Sequence, residues 1–198
     1  LLATSPLIYL ILLSLTSSGL PIVITLKVLG PLLIGFLGLV TYFYAKIALS
    51  WSSKKSLIVV IFSTLYFMSL RVSWDMFRSE LSLIFLFLTF ILLHKNSTSI
   101  TGRVLISVMM FLVVFSHQLM ALIMFAVLLA IIVSFYLKQE KDKIIKVIYC
   151  SIPAFLLLII IISINLFVYS SPILGYSPRF SGGFEIVATV TYTESIQN

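Results

Sequence analysis

Charge is what this sequence has least of. Asp, Glu, Lys and Arg together make up 10% of its 198 residues, against roughly a quarter in a water-soluble globular domain. A water-facing surface cannot be built from so few charges, which excludes a soluble domain. Acids are scarcer still, six against thirteen Lys and Arg. Cysteine is almost missing. Cys150 stands alone in an apolar run, so it forms no internal disulfide and reads as a small buried hydrophobe. There is no Cys/His cluster, no P-loop, no dinucleotide fingerprint, no HExxH and no nucleophile elbow. Apolar residues are abundant, at 61% of the chain and a mean hydropathy of +1.23. Sixteen Phe and nine Tyr suit lipid-facing surfaces and interfacial belts. The class is an all-α, polytopic, integral membrane protein.

A net charge of +7 invites a nucleic-acid reading, but the distribution argues against one. Three short loops hold Lys46, Lys54 and Lys55; Lys95 and Arg103; and Lys138, Lys141, Lys143 and Lys146. With Glu140 and Asp142 they account for the whole net charge, and the remaining charges cancel. Basic loops mark the cytoplasmic side of a membrane protein. No nucleic-acid partner is expected; membrane lipids are. The Asn96-Ser97-Thr98 glycosylation pattern falls in one of these loops and is discounted.

A spanning helix needs about 20 apolar residues, with about 17 tolerated. Seven runs qualify as candidates: Leu1 to Ser17, Val23 to Ala45, Ser56 to Leu70, Phe77 to Leu93, Val104 to Phe115, Leu119 to Leu137 and Val147 to Tyr169. Alternating them puts all three basic loops on one side. The 34 residues between Arg103 and Lys138 would extend roughly 51 Å as one helix at 1.5 Å per residue. That is too long for one span and gives the wrong parity. Two short antiparallel helices joined around Ser116, His117 and Gln118 fit, with His117 in a depression below the outer surface.

Residues 1–169 thus form a transmembrane helical domain. From 170 to 198 the character changes. Pro172, Gly175, Pro178, Gly182 and Gly183 break helix, and Glu185 to Thr193 is β-branched and alternating. This stretch reads as a non-helical extracytoplasmic loop or the start of a further domain. The chain begins on Leu1 inside an apolar run and stops in mid-loop, so it is expected to be a segment of a longer protein.

On the outer side, apolar segments carry polar residues they should not carry without a use. If Arg71 to Leu81 is helical, Arg71, Asp75 and Arg78 share one face at i, i+4 and i+7. Arginine matches phosphate oxygens bidentately. The acid between the arginines stays ionised and can act as a general base. Asp75 and Glu80 are the catalytic candidates. Arg71, Arg78, Lys27, His117, Gln118 and Arg179 are the candidates for holding a lipid phosphate. No metal site is assigned and no motif demands a cofactor, although a divalent ion beside Asp75 is compatible with the reading. The alternative for the arginines is interfacial anchoring, with Asp75 neutralising them. For His117 the alternative is a hydrogen-bonded turn residue.

Four stretches carry a resemblance to a known family. They are Leu26-Lys27-Val28-Leu29-Gly30-Pro31-Leu32-Leu33, Tyr42-Phe43-Tyr44-Ala45-Lys46, Arg71-Val72-Ser73-Trp74-Asp75-Met76-Phe77-Arg78, and Phe115-Ser116-His117-Gln118-Leu119. Their order resembles the GT-C superfamily of integral-membrane glycosyltransferases, especially prokaryotic relatives of protein mannosyltransferases and the aminoarabinose transferase. The resemblance implies transfer of a sugar from a polyprenyl-phosphate-linked donor to an acceptor at the extracytoplasmic face. It implies an acidic base in an early outer loop and basic residues on the lipid phosphate. Here the first outer loop, Ser17 to Pro21, has no acid, so that base lies upstream of Leu1 or Asp75 replaces it. Two other readings stand beside this one: a transporter or flippase of an anionic or lipid-linked substrate, and a non-catalytic membrane subunit.

Overall fold

The structure is a computed structural model that describes residues 6–69, 75–95 and 99–170, with side chains over 6–64, 77–95 and 99–164. Among the described residues seven helices follow in order: α1 (Leu7–Ser17), α2 (Ile22–Ile47), α3 (Ser53–Ser69), α4 (Asp75–His94), α5 (Ile100–Ser116), α6 (Gln118–Leu137) and α7 (Lys141–Ser170). Among the described residues there is no strand. Over the described residues, each of the seven apolar runs coincides with a helix. Four are long and apolar enough to cross a bilayer: Ile22–Ile47, Phe77–His94, Gln118–Leu137 and Lys141–Ile164. The helices Leu7–Ser17 and Ile100–Ser116 are apolar but shorter. The split of the Arg103–Lys138 stretch into two helices around His117 is present as expected.

Short polar links stop these helices by ordinary capping chemistry. At the end of α1, Gly19 takes a left-handed conformation (φ 94°). Its N–H donates to Thr16 and that of Leu20 to Leu15, which is a Schellman motif. The end of α6 repeats it with a non-glycine. Gln139 has φ 60°, its N–H donates to Tyr136, and that of Glu140 donates to Phe135. Ser99 caps α5 by accepting from the Gly102 N–H at 3.0 Å.

The chain divides into two compact units, Leu1–Ile161 and Ile162–Asn198. In the first, α4 is the hub and touches α1, α2, α5 and α6. It separates two cores. On one side Leu81, Ile84 and Ile91 of α4 pack with Ile8 and Leu12 of α1 and Leu33, Leu37 and Val40 of α2. On the other, Leu86 of α4 joins Ile106, Met110, Val113 and Val114 of α5, Ala121, Met124 and Leu128 of α6, and Val147, Cys150 and Ala154 of α7. Ser82 Oγ donates to the Val113 carbonyl at 3.3 Å and ties α4 to α5. Between helices in lipid, such bonds average about 0.6 kcal/mol.

The outer surface of this unit is apolar. Leu13, Phe62, Leu129, Tyr149 and Leu137 are more than 60% exposed, while Ser82, Thr89, Ser116 and Glu80 are buried. A water-soluble protein does the reverse. Helix α6 is apolar right round, with Ala121, Met124 and Leu128 buried and Leu122, Leu129 and Val133 exposed. These are the features of a bundle surrounded by lipid.

Packing also sorts the loops. Tyr44 near the end of α2 stacks on Phe87 of α4 at 5.0 Å between ring centroids and lies 6.4 Å from Phe90. Cys150 near the start of α7 lies 3.7 Å from the Arg103 carbonyl near the start of α5. The ends of α2, α4 and α6 and the starts of α5 and α7 therefore gather together. All three basic links lie at this end of the bundle, called here the basic end. His117 and the starts of α4 and α6 lie at the other, the far end.

Candidate functional site

At the far end, the α5–α6 turn is built around one histidine. Its φ of −160° is ordinary extended backbone, which breaks the helix between Ser116 and Gln118. The His117 N–H donates to the Val113 carbonyl at 3.1 Å and so completes α5. Its Nδ1 accepts from the Met120 N–H at 3.4 Å and caps α6. With Nδ1 accepting, the neutral ring carries its proton on Nε2, as a donor. The imidazole is half-buried. Burial first, and the charge of Arg78 second, hold it below its ordinary pKa of 6.5. His117 is therefore a neutral donor at physiological pH, within reach of the charge of Arg78.

Arg78 reaches this point because of helix register. Arg78, Ser82 and Thr89 fall at i, i+4 and i+11 of α4, and Ser82 already bonds α5. Arg78 is half-buried, as is Gln118, the first residue of α6. Glu80 is completely buried, but two residues on from Arg78 it lies roughly 200° away round the helix at 3.6 residues per turn. It shares the face of Ile84 and Ile91, which packs against α1 and α2. Arg78 thus lies near enough for its charge to act on His117, while Glu80 sits on another face of α4. Asp75 is the first residue of α4, and three residues before Arg78 its position lies within about 60° of that face. Lys27 is exposed on α2, on the outside of the bundle. Arg71, Arg179, the Asn96-Ser97-Thr98 pattern and the segment beyond Ser170 lie outside the described residues. Among the described residues no three of His, Cys, Asp and Glu gather as metal ligands.

A second feature went unread in the sequence. The basic end contains a cavity of about 600 Å³. Its walls come from Tyr44 of α2, Ala48 and Leu49 just after it, Phe90, Leu93 and His94 of α4, Val127, Ile131, Ser134 and Phe135 of α6, and Val147 of α7. Lys138, Lys143 and Lys146 complete it. Lys143 Nζ lies 3.0 Å from Glu140 Oε1 and 5.5 Å from the centre of the Phe135 ring. The lysine spacing of 138, 143 and 146 was legible, but explained by topology alone it gave no sign of a cavity. That needs α2, α4, α6 and the start of α7 to border one space, which only the fold decides.

No family model, curated protein or solved structure matches this chain. Function therefore rests on the two sites themselves.

Proposed function

We propose that this chain is the membrane-embedded part of a glycosyltransferase that moves a sugar from a polyprenyl-phosphate-linked donor to an acceptor at the far end of the bundle. The observation that carries the reading is the approach of Arg78 to His117. They are far apart in sequence, one on α4 and the other in the α5–α6 turn, and lie close enough for the arginine charge to act on the imidazole. A half-buried guanidinium and a neutral imidazole N–H form a donor pair suited to a phosphate. The resemblance of the Arg71–Arg78 and Phe115–Leu119 stretches to GT-C enzymes supports the same reading.

In this reading Arg78 and His117 Nε2–H hold the donor phosphate. An acceptor hydroxyl oxygen attacks the anomeric carbon. The bond from that carbon to the phosphate oxygen breaks, and polyprenyl phosphate leaves as the anion that Arg78 stabilises. The hydroxyl proton passes to Asp75 as general base. Glu80, buried on the opposite face of α4, is assigned no step. A divalent ion remains compatible with Asp75 and is assigned no step.

The test is transfer of labelled sugar from a polyprenyl-phosphate donor by the full protein in membranes. Arg78→Ala and Asp75→Asn are each expected to lower transfer by 10²-fold or more, on the order of general-base and charge-stabilisation effects. Glu80→Gln is expected to lower stability more than turnover per folded molecule. Undiminished transfer in both Arg78→Ala and Asp75→Asn would remove the site. Uptake of the donor into proteoliposomes with no covalent product would favour transport instead.

A further inference from the structure

The cavity at the basic end lies at the opposite end of the bundle from Arg78 and His117, and the glycosyltransferase reading does not use it. We propose that it binds a single anionic phospholipid, with the phosphate at the mouth bordered by Lys138, Lys143 and Lys146 and an acyl chain along the apolar wall of α6.

Three observations converge on that occupant. The first is charge. Lys138, Lys143 and Lys146 border one cavity, with His94 beside them. The acids of the α6–α7 corner, Glu140 and Asp142, are outnumbered by these lysines, and Glu140 pairs with Lys143 at 3.0 Å. The ammonium groups at this mouth supply the charge and the hydrogen-bond donors that a phosphate takes up. Basic pockets between transmembrane helices are the usual receptors for anionic lipid headgroups.

The second is depth. The cavity follows α6 from Lys138 back to Val127, eleven residues or roughly 16 Å at 1.5 Å per residue. A free phosphate ion needs only the mouth. Ile131, Phe135, Phe90 and Leu93 line the deeper part and offer an acyl chain apolar contact. The third is size. A volume of about 600 Å³ lies within the usual 300–1,000 Å³ of ligand sites, enough for a headgroup and the upper part of one chain. The rest of the lipid continues along the apolar outside of the bundle, where Leu137 and Tyr149 are exposed.

The experiment uses the whole protein in detergent. Retention of dioleoylphosphatidylglycerol and of dioleoylphosphatidylcholine is measured by native mass spectrometry, with and without millimolar inorganic phosphate. The anionic lipid is expected to bind at one site about tenfold more tightly than the zwitterionic one, and phosphate is expected not to displace it. Replacing Lys138 and Lys146 together with Gln should weaken phosphatidylglycerol by about fivefold per lysine. Lys54→Gln with Lys55→Gln removes the same charge outside the cavity and should change little. Ile131→Trp, which fills the slot without touching a charge, should weaken the same lipid. Equal retention of the two lipids overturns the proposal. So does an equal loss in the Lys54/Lys55 control, which would mean diffuse surface attraction. Displacement by inorganic phosphate also overturns it, in favour of a free-anion site.

Discussion

His117 shows how one side chain can serve structure and chemistry together. Its Nδ1 caps α6 and its backbone closes α5, so the turn geometry depends on the neutral ring. Burial and Arg78 hold its pKa below 6.5. In the unfolded chain the imidazole titrates near that ordinary value. Between the two, the unfolded state binds a proton that the folded state refuses, and stability falls as pH falls. The contribution is complete above pH 6.5 and is lost as pH drops through the lowered folded value. Thermal unfolding in detergent should show a Tm declining below that pH. His117→Asn keeps a cap acceptor and removes the titration, so the decline in that window should shrink. An unchanged pH profile in the Asn variant would assign the effect to another group. His117→Ala should cost about 0.5–2 kcal/mol at neutral pH, the usual range for a lost N-cap. At this scale the sequence supplied both readings of His117, phosphate donor and turn residue. The cap bond establishes the second and leaves Nε2 available for the first.

At the scale of elements, α2 and α3 meet through a glycine. A Cβ added at Gly38 would come 3.1 Å from Thr64 Cγ2 and 3.3 Å from Val60 Cγ1. Thr64 cannot easily turn aside, because its Oγ1 donates to the Val60 carbonyl at 2.8 Å. Small residues at helix contacts are how bundles pack closely in lipid. One turn earlier, a Cβ at Gly35 would meet nothing within 4 Å. Gly35→Ala should therefore raise stability by up to about 1 kcal/mol, the helix-propensity difference. Gly38→Ala should forfeit that gain, and Gly38→Leu should force α3 away from α2. Denaturation of the three variants in one detergent checks this. Equal gains at both glycines would show that the close approach carries no energy. Hydrophobic runs made the helices themselves legible, with ends displaced by a few residues where caps rather than hydropathy stop them. The sequence could not say which of the two glycines faces a neighbour, since both sit on the same apolar pattern.

For the whole molecule, the gathering of the basic links at one end predicts labelling from one side of the membrane. In a Cys150→Ser background, Lys54→Cys, Lys95→Cys and Lys141→Cys should react with a membrane-impermeant thiol reagent from the same face. Ser18→Cys, in the link between α1 and α2, should react from the other. Any split among the first three would break the alternation of helices on which both proposed sites depend. The two sites stand at opposite ends of this arrangement, so variants at one should leave the other's readout unchanged.

The sequence by itself determined the class, the seven helices, the turn at His117 and the grouping of positive loops. Each of these follows from local hydropathy or from charge counted along the chain. Which polar residues meet was decided only in three dimensions. Arg78 and Glu80 look equivalent in the sequence, yet helix register brings one within electrostatic reach of His117 and buries the other on the face shared with Ile84 and Ile91. Lys138, Lys143 and Lys146 look like topology signals until the fold sets them on the border of one cavity with residues of α2 and α4. Spacing fixes the face a residue occupies on its own helix, but long-range packing alone fixes what that face meets.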